Sequence, residues 1–175
     1  MRTEHTRLAS IVMSGCSARP LLLVDVDGVV SLFGFRAAPP AGLLATSVDG
    51  IPHLLSDQAG PLLARLSATF ECVWCTGWEE RAEEHLPRLL GLAGGWPHLR
   101  FERSGSGPTR HWKLAAVEAR AGADRPVAWI DDDFDATCEA WAGARRGPTL
   151  LVRTEPASGL RAAHVTRLER WARRL

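Results

Sequence analysis

Leu21-Leu22-Leu23-Val24-Asp25-Val26-Asp27-Gly28 is the stretch from which the fold follows. An apolar run without polar alternation reads as a strand buried on both faces, the situation of a parallel sheet covered by helices on each side. The carboxylates begin where the run ends. Outward from this predicted strand, residues 21–26, four more short apolar runs carry charge or Gly just beyond their ends: 70–75, 99–102, 127–130 and 149–152. Helical patterns fill the intervals at 57–68, 79–92, 112–121 and 136–144, and a last one spans 160–175. Strand and helix therefore alternate, which predicts an α/β fold: a three-layer parallel sheet of about five strands with helices on both faces and right-handed crossovers.

The chain has 175 residues, 46% hydrophobic and 23% charged, which suits one globular domain and excludes a mainly disordered or fibrous protein. Lys and Arg total 21 against 20 for Asp and Glu, so no global field attracts nucleic acid, membrane or an acidic partner. No apolar run approaches the roughly 20 residues of a membrane helix. Arg2, Arg7 and the apolar run 8–13 are too short for an export signal, which needs about seven apolar residues at least. Residues 1–19 are expected to be a poorly ordered extension, with residues 20–175 forming the domain.

Residues 31–60 interrupt the alternation with Gly34, Pro39, Pro40, Gly42, Gly50, Pro52 and Gly60. Asp49-Gly50 between the apolar segments 43–48 and 51–55 is a two-residue hairpin signal, and Pro52 restricts that hairpin to an edge. A small flap hairpin within about 31–56 is expected, and the Gly/Ser-rich stretch 104–109 reads as a mobile loop. The five Arg at 161, 167, 170, 173 and 174 read as complements to the dipole of the last helix.

In an open parallel sheet the ligand crevice lies beyond the C-terminal strand ends, so the residues after each run converge. Those are Asp25, Asp27 and Gly28 after the first strand, Thr76 and Gly77 after the second, and Asp131, Asp132 and Asp133 after the fourth. Carboxylates so crowded repel unless a cation lies among them, and an all-oxygen donor set completed by water and phosphate describes Mg2+. Cys72 and Cys75 are spaced like a metal knuckle, but three positions apart on a strand they face opposite sides, so both read as buried small side chains. The four cysteines make no disulfide framework, and a reducing, cytoplasmic location is expected.

These residues resemble the motifs of the haloacid dehalogenase superfamily, placed in order over about residues 20–155. Hydrophobic strand then Asp25-Val26-Asp27-Gly28 is similar to the first motif, and a strand ending in Thr76-Gly77 to the second. Lys113, opening a helix after a Gly/Ser loop, fits the third, and Ile130-Asp131-Asp132 the fourth. The resemblance implies a Rossmann-like core and a Mg2+-dependent phosphatase. Asp25 would attack phosphorus to form an aspartyl phosphate, and Asp27 would protonate the leaving oxygen and then activate water. Thr76, Gly77 and Lys113 would hold the phosphate. Asp25, the Asp27 carbonyl and Asp132 would ligate the metal, with Asp131 as ligand or supporting partner. Asp133 and Asp135 read as caps of the next helix. An acid at Asp27 separates this pattern from members that displace halide.

The intervals from Asp27 to Thr76 and from Thr76 to Lys113 hold no separate cap domain, which by resemblance favours bulky or polymeric phosphorylated substrates. Trp78 and Trp112 flank Thr76 and Lys113 and are candidates to stack on a base or ring; packing against the sheet is the plainer alternative for each. His111 reads as a solvent-facing loop residue. The strings 74–78 and 129–134 resemble, more loosely, small bacterial domains of the superfamily associated with RNA repair. Three readings result: a phosphomonoesterase, a phosphatase of 3′- or 5′-nucleic-acid ends, which the near-neutral charge does not support, and a non-catalytic phosphate or nucleotide binder. Oligomeric state is not legible in the sequence.

Overall fold

The computed structural model describes residues 19–102 and 110–175, so the expected N-terminal extension and the 104–109 loop lie outside the described residues, Arg19 apart. β1 (Leu21–Val24) is followed by β2 (Leu43–Val48), β3 (Ile51–Ser56), α1 (Ala59–Ser67), β4 (Glu71–Trp74) and α2 (Glu80–Leu90). Then come α3 (Leu114–Ala121), β5 (Val127–Asp131), α4 (Ala136–Ala144), β6 (Thr149–Arg153) and α5 (Ala162–Ala172). β4, β1, β5 and β6 lie side by side in that order in one parallel sheet.

The period of two along each strand divides the core. Leu22 and Val24 of β1 face one apolar cluster with Leu63 of α1, Leu86 of α2 and Val165 of α5. Leu21 and Leu23 face the other, with Leu114 and Val117 of α3 and Cys138 of α4. Every β1 side chain is fully buried, which is why the strand carries no polar residue before Asp25. The three layers are as expected. Cys72 and Cys75 fall in opposite clusters, and burial pushes the Cys72 thiol up to about 12 and raises Cys75 well above the ordinary thiol value.

The sheet has four strands rather than about five. At 97–102 only a single bridge forms, His98 to Trp74, flanked by hydrogen bonds to Pro97 and Leu99. The Phe101 amide, which would extend the ladder, donates to Glu79 Oε1 at 3.0 Å instead. An amide diverted to a side chain cannot also build the edge strand.

β2 and β3 form the expected hairpin, turning at Asp49 and Gly50, with φ of 51° and 80°. Both values suit the mirror-image turn that follows strand twist, for which Asp-Gly is a preferred pair. Pro52 pairs with Ser47 within a two-stranded sheet, where the outer edge needs no donor. The base of the hairpin is tied to the chain after β1: the Leu32 amide donates to Leu54, and Ser56 to Val30. At its tip Asp49 pairs with Arg81 of α2 at 3.0 Å. No cap domain is present among the described residues, and no helix there is long and apolar enough to cross a membrane.

Candidate active site

The C-terminal ends of β1, β4 and β5 open onto a crevice of about 330 Å³ lined by Asp25, Asp27, Thr76, Gly77, Trp112, Lys113, Asp131 and Asp132. Every site residue expected from the sequence except Trp78 contributes to its wall. At its centre the Lys113 ammonium lies 2.8 Å from Asp25 Oδ2 and 2.7 Å from Asp131 Oδ2, in side chains that are 4%, 7% and 0% exposed. Lys113 reaches this point because it directly precedes α3, whose Leu114 and Val117 are anchored under the sheet.

Burial pushes the Asp25 carboxyl up to about 7, with Lys113 opposing and Asp131 reinforcing the rise. Burial works to lower Lys113, but the facing carboxylates of Asp25 and Asp131 win and hold it above its ordinary value, so it stays charged. Asp131 has two further donors: Oδ2 also accepts from Trp129 Nε1 at 3.0 Å, and Oδ1 from the Asp133 amide at 3.1 Å. Oxygens of Asp25, Asp131 and Asp132 lie within 4.8 Å of one another, a spacing that fits a hard cation. Asp131 accepts from three donors and Asp25 from Lys113, yet a carboxylate has about four acceptor sites, so each of the three still has an oxygen to offer a cation. Burial and Asp131 raise the Asp132 carboxyl.

The glycine of Asp25-Val26-Asp27-Gly28 has a geometric reason. Gly28 has φ +70°, and a Cβ there would stand 2.3 Å from Asp132 Cγ. No other residue lets β1's loop approach the fourth motif so closely. The contact is braced by Thr154, just beyond β6: its buried hydroxyl donates to the Gly28 carbonyl at 2.9 Å and its amide to the Asp131 carbonyl at 3.0 Å. The Arg153 guanidinium donates to the carbonyls of Asp132 and Phe134. Sequence reasoning missed both residues. The signal was available, since they follow the last apolar strand at the same sheet edge.

Asp27, exposed at the crevice mouth, has Oδ2 bound by the Trp78 indole N–H at 3.0 Å. Trp78 is buried and packs on His53 of β3, ring centroids 4.5 Å apart, so it orients Asp27 rather than offering a stacking face. Trp112 is 44% exposed at the rim, edge-on to Phe101. The Thr76 hydroxyl accepts from the Trp78 amide at 3.3 Å, within the turn that leads to α2. Glu79 in that turn has φ +51°, a strained backbone for a side-chain-bearing residue, and Phe101's bond to its carboxylate helps hold it there.

Two expectations are corrected. His111 is buried, not solvent-facing: its amide donates to Thr137 Oγ1, its Nδ1 accepts from the Lys113 amide at 3.3 Å, and its ring meets Trp129 edge-on. Apolar rings on the neighbouring elements draw it in. Asp133 is exposed and does not cap α4; Asp135 does so alone, accepting from the Thr137 and Cys138 amides.

Comparison with known proteins adds one result. The family described as "HAD domain in Swiss Army Knife RNA repair proteins" matches residues 21–165. Comparison with curated proteins yielded no match.

Proposed function

The chain belongs to the family of HAD domains in Swiss Army Knife RNA repair proteins, and on that premise we propose that it is a Mg2+-dependent phosphatase acting on phosphate monoesters through Asp25. The observation that carries this reading is the Lys113 ammonium held between Asp25 and Asp131 at 2.8 and 2.7 Å, beside the oxygen cluster completed by Asp132. A carboxylate attacks a phosphate dianion only where positive charge offsets their repulsion, and here a buried cation touches the attacking group.

In this reading an Asp25 oxygen attacks phosphorus in line while the ester oxygen departs, taking a proton from Asp27. The aspartyl phosphate is then hydrolysed by a water that gives its proton back to Asp27, releasing inorganic phosphate and freeing Asp25. Trp78 keeps Asp27 turned toward that oxygen. Thr76 and the Gly77 amide receive phosphate oxygens at the approach to α2, and Lys113 holds a third. Asp25, Asp132 and the Asp27 carbonyl would hold Mg2+, which would supply the remaining charge neutralisation. The three cysteines among the described residues are free and buried, in keeping with a cytoplasmic setting.

The family match favours a second, narrower reading, in which the phosphate sits on an RNA end; the open crevice accommodates a polymer. Phosphate release from p-nitrophenyl phosphate and from 3′- and 5′-phosphorylated oligonucleotides, with Mg2+ or with chelator, tests both. Release is expected with Mg2+ only, falling to background in Asp25→Asn. Full turnover in that variant would falsify the mechanism. Background release by the native chain, with Mg2+ and phosphate still raising the Tm, would instead mark a non-catalytic binder.

A further inference from the structure

A second cavity, of about 460 Å³, lies between the hairpin and the loop that follows β1. Asp27 lines both this cavity and the crevice. Phe33, Phe35 and Leu54 provide its apolar wall, while Thr46 and His53 provide polar edges. Phe33 is 47% exposed, a large aromatic face left in solvent. Neither Lys nor Arg lines the cavity among the described residues.

We propose that this cavity receives the nucleoside to which the scissile phosphate is attached. The inference rests on the assignment of Asp27 as the acid that protonates the leaving oxygen. An ester whose phosphorus faces Asp25 and whose leaving oxygen faces Asp27 continues beyond Asp27, into this space. The volume falls within the roughly 300–1,000 Å³ of small-molecule sites. An occupant gains aromatic faces and hydrogen-bonding edges but no cation, which suits an uncharged heterocycle and sugar rather than a second phosphate. Ser31 Oγ engages His53 Nδ1 at 3.1 Å, leaving Nε2 as the ring nitrogen for the occupant. Asp27 lines the cavity directly, and His53 in the same wall packs on Trp78, which holds Asp27.

The test compares kcat/KM for adenosine 3′- and 5′-monophosphate, an end-phosphorylated oligonucleotide and glycerol 2-phosphate, all with Mg2+. In parallel, unphosphorylated adenosine is titrated into the Asp25→Asn chain and followed by tryptophan fluorescence. At least one nucleoside ester is expected to exceed glycerol 2-phosphate by about tenfold. That preference should collapse in Phe33→Ala, which removes the aromatic face, and in Ala45→Trp, which fills the cavity from exposed β2 without deleting anything. Unchanged melting temperatures establish that both variants fold. A preference shared by the mononucleotides and lost in Phe33→Ala supports the proposal; a preference confined to the oligonucleotide supports it, with a nucleic-acid end as the source, only if Phe33→Ala and Ala45→Trp abolish it, and overturns it if they do not. Equal turnover of all esters, with no adenosine binding, overturns the proposal and leaves the phosphatase reading intact. Adenosine binding that Phe33→Ala weakens, without turnover of any ester, sustains the nucleoside site and overturns the phosphatase. Neither turnover nor binding overturns both.

Discussion

Asp27 illustrates how a single carboxylate acquires its task from neighbours in other elements. Its Oδ2 is fixed by an indole N–H 51 positions along the chain, at 3.0 Å, so the carboxylate proposed as the acid is already oriented. Trp78→Phe keeps the buried ring and deletes that donor. Its kcat is expected to fall about tenfold for an alkyl phosphate and far less for p-nitrophenyl phosphate, whose leaving group needs no proton. An equal loss on both esters would show that Trp78 acts only through packing. The Asp25-x-Asp27-Gly28 carboxylates were legible as a strand-end cluster from the apolar run before them, and their roles through the family resemblance. The Trp78 partnership was not, because nothing in a sequence shows which way an indole turns.

At the scale of elements, two devices position the site. The hairpin is held at both ends, by backbone bonds from 30–32 to its base and by Arg81 to its tip. Such an exposed ion pair contributes little to stability, so its part is to set where the tip lies over α2. The start of α4 is fixed by Asp135, whose acceptance from Thr137, followed by the Cys138 amide, holds its carboxyl at about 2. A depressed carboxyl stabilises the fold above its unfolded pKa, near ~4, and loses that contribution as pH falls toward the folded value. Asp135→Ala should therefore lower the Tm at pH 7, with the gap to the native chain narrowing below about pH 4. Thermal melts across pH measure it, and a gap independent of pH would assign the loss to something other than the charged cap. The helix ends were read within a few residues from the sequence, whereas the failed strand at 99–102 was not foreseen. Its apolar pattern was real, since Leu99 is buried, but the competition for the Phe101 amide comes from Glu79 across the fold.

For the whole molecule, the decisive arrangement is a charged triad sealed where three strands end. Lys113 neutralises Asp25 and Asp131, both buried, so its removal leaves two facing carboxylates without a counter-charge. Lys113→Met is expected to cost ~3–5 kcal/mol of stability in chelator, and less with saturating Mg2+, which restores positive charge to the cluster. Urea denaturation with and without Mg2+ reads both values; equal losses in the two conditions would argue against a cation bound beside Asp25. The sequence by itself determined the layers, the parallel sheet, the hairpin and the strand-end carboxylates, because two-sided burial demands continuous apolar runs and Asp-Gly encodes a turn locally. Tertiary structure alone decided what each carboxylate touches. Asp131 and Asp132 are neighbours in sequence, yet Asp131 binds Lys113, Trp129 and the Asp133 amide, while Asp132 closes over Gly28. Trp129 and the Asp133 amide lie two residues from Asp131, but Lys113 is delivered by α3 and Gly28 by the loop after β1, and adjacency along the chain carries no record of those two contacts.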